Sequence, residues 1–173
     1  MKAKQQFIPL KRPRFFSGQL LSASDFEAEQ RYVLEKQKRH NRGLHGYGVV
    51  SGLDVSVKND DLNIDEGMAI DALGNEIVVP GCVQISLKRT GRVAYVTVRY
   101  CEHETDPVPV QSDSNGGVEF SRIEEGFEIS ITPSPNTKNT TGNEIETGVV
   151  LARLVMRRGG WRVDRKFRRP KTR

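Results

Sequence analysis

The sequence lacks the features of a membrane-spanning or nucleotide-binding protein. It contains no run of about 18 apolar residues, the length that a membrane-spanning helix needs. Its first residues are basic but are not followed by the apolar segment of a secretory signal, so we expect no export signal. Neither phosphate-binding glycine pattern, GxxxxGK[ST] or GxGxxG, occurs as a motif. The remaining classes are enzymes without nucleotides, binding modules and assembly proteins.

Residues with metal-binding or nucleophilic chemistry are also scarce. The chain has 2 cysteines and 3 histidines and no CxxC pair, which disfavours a structural zinc site, and we expect no cofactor. Cys82 and Cys101 are expected to be reduced thiols. Ser51 lies in GVVSGL, which is not the G-x-S-x-G elbow of a nucleophilic serine. Cys101 and His103 would point to one side of a strand, which leaves a metal-dependent enzyme open as an alternative.

Charge is distributed in three blocks along the chain. Residues 1–42 carry a net charge of +6, residues 43–149 carry −10 and residues 150–173 carry +9, within a total of +5. Basic ends around an acidic middle favour electrostatic contact between subunits. They equally permit nucleic-acid binding by Arg157–Arg173, where Trp161 and Phe167 are interleaved with basic residues.

An apolar arm and a long polar helix are predicted at the N-terminus. Residues 1–21 are interrupted by Pro9 and Pro13, which block a regular helix, and we interpret them as a docking arm. Residues 22–45 are predicted as a helix, because no glycine or proline interrupts 25–42. Ser24 and Glu27 have the spacing of a capping box and predict a start near Ser24.

The rest of the chain has the period of β-structure. Residues 46–166 are predicted as one β-domain, in which Arg92–Cys101 is the strongest strand because it is rich in β-branched and aromatic residues. Asp106–Gly117 and Pro133–Asn143 are predicted as loops, and residues 167–173 as an extended basic tail. The predicted fold class is mainly β (α+β), a β-sandwich or partly open barrel of short antiparallel strands with one long N-terminal helix.

Three stretches within residues 15–80 carry a resemblance. FFSGQLLSASDFEAEQRY, RHNRGLHGYGVVSGLDV and DEGMAIDALGNEIVVP resemble a small family of bacterial proteins that are encoded among phage-tail-like components, near contractile injection systems. VVLARLVMRRGGWRVDRKFRR is similar to the closing segment of phage baseplate and tail-fibre domains. The resemblance implies a structural component of a baseplate or fibre adaptor, threefold or sixfold symmetry, and no catalytic residues.

We therefore predict a non-enzymatic assembly subunit of a phage-tail-like apparatus, in the bacterial cytoplasm or in the assembled particle. Its partners would be other subunits of the assembly and copies of itself. Apolar residues of the arm, charged residues of the helix and basic residues near the C-terminus are the predicted contacts. These interface residues are Phe7, Ile8, Phe15, Phe16, Glu27, Arg31, Glu35, Arg39, Arg165, Arg168 and Arg169.

Overall fold

A single α-helix followed by β-strands makes up the described part of the chain in the computed structural model. The structure describes residues 9–88, 91–110, 117–135, 138–141 and 144–173. The elements in chain order are α1 (Ala23–His40), a π-helical turn (Asn41–His45), β1 (Gly48–Gly52), β2 (Val55–Lys58), β3 (Asp61–Ile64), β4 (Gly67–Ile70), β5 (Glu76–Val79), β6 (Val83–Ser86), β7 (Val93–Val110), β8 (Gly117–Thr132), β9 (Lys138–Thr141), β10 (Glu144–Arg157) and β11 (Gly160–Val163). The predicted fold class, mainly β with one N-terminal helix, is confirmed.

Three antiparallel sheets share one core. Two small sheets, with strand orders β1-β4-β5 and β2-β3-β6, lie against a larger one with the order β11-β10-β7-β8, in which β9 pairs with β10. Alternate residues of β7 are apolar and face the core, because side chains of a strand point to its two faces in turn. Leu62, Ile64, Val98 and Leu154 are fully buried there. The strongest predicted strand therefore lies at the centre of the largest sheet.

The helix begins two residues earlier than the predicted capping box. Ser22 is the N-cap, and both its backbone N–H and its hydroxyl donate to Asp25 Oδ2, at 2.9 and 2.7 Å. These hydrogen bonds lower the pKa of the Asp25 carboxyl. The predicted Ser24–Glu27 pair was wrong because Ser24 already lies inside the first turn, where Asp25 occupies the third helical position that a capping acid needs.

A long two-stranded ribbon replaces one predicted loop. β10 pairs with β7 only from Val93 to Arg99, whereas β7 and β8 continue to pair with each other as far as Val110 and Gly117. The prediction of a loop from Asp106 to Gly117 was wrong for residues 106–110 and for Gly117. Prolines are accepted in this stretch because β7 is an edge strand there. Residues 111–116 lie outside the described part of the chain.

Two other segments differ from their predicted form. Lys138–Thr141 forms β9, paired with Glu144–Thr147, inside the predicted loop Pro133–Asn143. The basic tail is extended, as predicted, but it lies on its own chain, where Lys171 forms a parallel bridge with Val49. In the part of the chain that the structure describes, no helix combines the length and the apolar character required to cross a bilayer.

Candidate interaction surface

A tight turn between β4 and β5 forms the seat of the helix. Asp71 Oδ1 accepts hydrogen bonds from the backbone N–H groups of Leu73 and Asn75, at 2.8 and 2.9 Å, and Asp71 Oδ2 accepts from Asn75 Nδ2 at 2.7 Å. Gly74 has a φ of +90°, a conformation that glycine adopts without strain. A side chain at Gly74 would also collide with the carbonyl oxygen of Lys38 in the helix. The turn and the helix end are therefore in direct backbone contact.

Polar side chains at the end of the helix bind this turn. Asn41 is buried, and its Nδ2 donates to the Gly74 carbonyl and to Glu76 Oε1, both at 3.0 Å. Gln37 Nε2 donates to the same carboxylate oxygen at 2.8 Å, and Arg42 donates to the Leu73 carbonyl. The last two turns of the helix are thus fixed to the β-domain by hydrogen bonds rather than by apolar packing.

The remainder of α1 packs little against its own domain. None of the residues of α1 is buried. Phe26, Val33 and Leu34 have 57%, 53% and 44% of their surface exposed. A helix whose apolar side chains remain exposed to solvent gains little stability from packing against its own domain. This helix is therefore suited to contact another chain.

The arm before the helix is exposed in the same way. Phe15, Phe16 and Leu20 are 47%, 69% and 93% exposed. A turn at Ser17 and Gly18 is closed by a hydrogen bond from Gln19 N–H to the Phe16 carbonyl, at 3.2 Å. The two phenylalanines therefore lie at a hydrogen-bonded turn, and about half or more of the surface of each is exposed to solvent.

The ribbon is the third exposed element. Val108, Val118, Phe120 and Ile123 are each at least 46% exposed. Ile123 lies opposite Glu104 in the β7–β8 pairing, and Glu102 lies opposite Glu125, so these four side chains share one face. That face and α1 border a shallow groove of about 430 Å³, whose lining includes Val33, Leu34 and Ile123.

The predicted interface residues are distributed over these elements and the tail. Phe15, Phe16, Glu27, Arg31, Arg165 and Arg168 are exposed, whereas Glu35 and Arg39 are half-buried on the helix. Phe7 and Ile8 lie outside the described residues. Arg169 is engaged in its own chain, because it donates to the Leu53 carbonyl at 2.6 Å and pairs with Asp54 at 2.9 Å. Contacts of these residues with partners stay predictions.

The sequence predicted Val118–Arg122 as a strand, as observed in β8, but the extension of β7 over residues 106–110 and the seat of the helix were missed. The alternation of apolar residues in PVPV was a signal for this extension, since every second residue would share a face. The pairing of Asn41 with Glu76 gave no comparable signal, because the two residues are 35 positions apart.

The candidate metal pair does not gather further ligands. Cys101 Sγ lies 3.4 Å from His103 Nε2, as the strand alternation predicted. Among the described residues, no group of three or more histidine, cysteine, aspartate or glutamate side chains could hold a metal ion. Burial raises the pKa of the Cys101 thiol, and Glu128 adds to the effect, so the thiolate that nucleophilic chemistry needs is disfavoured.

The attachment of the helix is expected to weaken in acid. Hydrogen bonds from Asn41 and then Gln37 lower the pKa of Glu76 below its ordinary value of 4.5. A lowered pKa in the folded protein means that the stabilisation is complete above pH 4.5 and is lost as the pH falls through the folded pKa. At neutral pH, Glu76→Gln should lower the free energy of unfolding by about 0.5–1.5 kcal/mol.

Denaturant unfolding of the unaltered protein and of Glu76→Gln, at about ten pH values between about pH 3 and pH 7, measures this difference in the free energy of unfolding. The difference should shrink below pH 4.5, because the glutamine does not titrate. A difference that stays constant across this range contradicts the assignment of Glu76 as the charged acceptor of the helix end.

Comparison with known proteins gives a fold match only. No protein-family model and no curated protein matches the sequence. A chain in the cryo-electron microscopy structure of the type VI secretion system TssK-TssF-TssG baseplate subcomplex superposes with a TM-score of 0.58 at 16% identity, over 94% of this chain and 62% of that one. A chain of the baseplate complex from the type VI secretion system gives the same TM-score and identity, over 94% and 42%.

The crystal structure of TssK superposes with a TM-score of 0.55 at 11% identity, over 94% of this chain and 43% of TssK. This chain thus spans less than two thirds of the length of each of these three structures. Nearly all of its own length is included in each match. The chain therefore shares its fold with a portion of TssK and with a portion of the matched chains in the type VI secretion baseplate structures.

Proposed function

We propose that this protein is a non-enzymatic structural subunit of a phage-tail-like contractile injection apparatus, in its baseplate or fibre adaptor. The observation that carries the proposal is the fold match over 94% of the chain to baseplate structures. The resemblance of residues 15–80 to proteins encoded among phage-tail-like components supports the same function, because it rests on stretches of sequence rather than on the fold.

The distribution of exposed apolar side chains supports an assembly role. Phenylalanine, leucine, isoleucine and valine residues are exposed on the arm, on α1 and on the ribbon beyond Arg99, and none of these exposed residues belongs to the shared core. Groups of exposed apolar side chains are typical of protein interfaces. The protein would act by holding its partners in position. The β-domain would serve as a rigid body, and the arm, α1 and the ribbon would contact the partners.

Nucleic-acid binding by the basic C-terminal segment has less support. Arg153 pairs with Asp164, at 2.5 Å, and Arg169 pairs with Asp54. The tail backbone bonds to β1, since the N–H of Val49 donates to the Pro170 carbonyl and the N–H of Thr172 to the Val49 carbonyl. These contacts give the segment a structural role in its own domain.

Capture of the tagged full-length protein from its native cells tests the proposal. We expect baseplate-type and other tail-like subunits to co-purify, and electron microscopy of the captured material to show tail-like particles. Replacing Phe26 and Leu34 with serine should reduce the yield of these subunits by about tenfold or more, because apolar interface residues that cost 1–2 kcal/mol each act together.

Val78→Ser is the matched control, because Val78 is 55% exposed but lies on β5 of the core sheets. Its yield of partners should equal that of the unaltered protein. Recovery of no tail-like subunit, together with a strictly monomeric protein, would count against an assembly function.

A further inference from the structure

The groove between α1 and the ribbon is lined by apolar and acidic side chains. Val33, Leu34 and Ile123 provide apolar surface, and Glu29, Glu102 and Glu125 are the charged residues that line it together with the neutral Gln30. The Glu102 carboxylate already accepts a hydrogen bond from the Tyr100 hydroxyl at 2.7 Å, which holds that carboxylate in place. A ligand of this groove therefore needs apolar side chains next to positive charges.

The chain itself contains two segments with that chemistry. The first is KRPRFF, residues 11–16 of the arm, which we call the basic arm segment. The second is the C-terminal RKFRR, residues 165–169. Both combine phenylalanine with arginine and lysine, so composition alone does not choose between them.

Contacts within the chain favour the arm. The C-terminal segment already contacts its own chain. Arg169 binds the Leu53 carbonyl and the Asp54 carboxylate. The Phe167 ring packs edge-on against Tyr95, with 6.3 Å between the ring centroids. By contrast, Phe15 and Phe16 of the basic arm segment are exposed. Among the described residues, no hydrogen bond or ion pair involves the side chains of Lys11, Arg12 or Arg14.

The basic arm segment does not line the groove of its own chain. Among the described residues, those that line the groove come from α1, β7 and β8, and none is one of residues 9–21. The arm enters α1 at Ser22, whereas Val33 and Leu34 lie three turns further along the helix. The groove and the basic arm segment are thus complementary in charge and in apolar character, and the described residues do not bring them together within one chain.

We propose that the groove binds the basic arm segment of a second copy of this chain. Arg12 and Arg14 would face the carboxylates of Glu29 and Glu125, and the phenylalanines would cover Val33, Leu34 and Ile123. This inference rests on the proposed assembly function and adds a specific contact between like subunits. An arm that reaches from one copy to the next forms a head-to-tail interface, which closes into a ring when the rotation between copies permits.

Sedimentation velocity of the full-length protein, at concentrations of about 1–100 µM, measures this self-association. The R12E/R14E variant and the E29K/E125K variant should each self-associate at least about tenfold more weakly than the unaltered protein. Mixed with one another, the two variants should recover association, because the mixture pairs a basic arm with an acidic groove and an acidic arm with a basic groove. Glu102 is left unchanged because its carboxylate accepts a hydrogen bond from the Tyr100 hydroxyl at 2.7 Å, whereas Glu125 interacts with that hydroxyl more weakly.

R165E/R168E is the matched control, since it makes the same change of charge in exposed residues of the C-terminal segment. It should associate as the unaltered protein does. Recovery in the mixture also shows that both variants are folded. A monomeric unaltered protein at 100 µM, full association of R12E/R14E, or equal weakening by the tail variant would each overturn the contact.

The native-cell capture described above separates this contact from the proposed function. If tail-like subunits co-purify with the unaltered protein while its self-association does not depend on the arm, the arm contact fails and the assembly function stands. If no tail-like subunit is captured but the charge-swapped variants restore association to one another, the arm contact stands and the function fails.

Discussion

Deletion of residues 104–123, with His103 joined to Glu124 through Asn-Gly, is expected to abolish partner capture while the β-domain stays folded. His103 and Glu124 lie opposite each other in the β7–β8 pairing, so the shortened strands can close with a two-residue hairpin turn. No residue of the shared core lies in the described part of the deleted segment. The deletion therefore removes exposed apolar surface without opening a cavity.

Thermal unfolding and native-cell capture together measure this result. The midpoint should change by less than about 4 °C, the shift that corresponds to about 1 kcal/mol for a chain of this size. The yield of tail-like subunits should fall to background. A companion variant with threonine at Val108, Val118 and Phe120 keeps the strand propensity of the ribbon and should lose partners as well.

Either of two outcomes would contradict this function for the ribbon. Unchanged partner yield after the deletion would mean that the contacts lie elsewhere. A fall in the melting midpoint of more than about 10 °C would mean that the ribbon supports the fold itself. The second outcome conflicts with the exposure of Val108, Val118, Phe120 and Ile123.

Local patterns predicted the elements whose side chains repeat with a regular period. The helix was predicted within a few residues, because no glycine or proline interrupts it, and Arg92–Cys101 was predicted as a strand because it is rich in β-branched and aromatic residues. The ribbon was missed in part, because Pro107 and Pro109 are typical of loops. They are compatible with a strand only once it is known that no neighbour pairs with that edge of β7.

The seat of the helix could not be predicted from local patterns. It depends on Asn41 meeting Gly74 and Glu76, which become neighbours only after β4 and β5 have formed their hairpin. The tail shows the same limit. A run of arginines predicts contact with an acidic surface, but the surface that Arg169 finds is Asp54 of its own chain. Charge patterns predict the chemistry of a partner and leave its location undetermined.

Replacement of Asp71 with alanine is expected to lower the free energy of unfolding by about 3 kcal/mol or more. Asp71 is 1% exposed, and its carboxylate accepts three hydrogen bonds, from the N–H groups of Leu73 and Asn75 and from Asn75 Nδ2. Loss of the carboxylate would leave these donors without their partner in a turn whose Gly74 and Asn75 are buried, and hydrogen bonds to charged groups contribute about 1.5–3 kcal/mol each. The melting midpoint should fall by about 6–12 °C.

Asp71→Asn is the matched control, and a small effect is expected, below about 1 kcal/mol. Asn75 Oδ1 is buried and accepts no hydrogen bond in the unaltered protein. When an amide replaces the carboxylate, the Asn75 side chain can rotate by half a turn so that its Oδ1 accepts from the new amide nitrogen. The remaining oxygen still accepts from Leu73 and Asn75 N–H groups, so every bond of the turn has a counterpart.

Chemical denaturation of the three proteins at pH 7, with hydrogen exchange of the Leu73 and Asn75 amides, separates the hydrogen-bond network from the charge. The alanine variant should lose protection at both amides and release the end of α1, because Gly74 of this turn and Glu76, which begins β5, hold Asn41. Equal destabilisation by alanine and asparagine would show that the negative charge, not the network, stabilises the turn. A stable alanine variant would show that the turn keeps its shape without the carboxylate, in which case the helix must be positioned by other contacts.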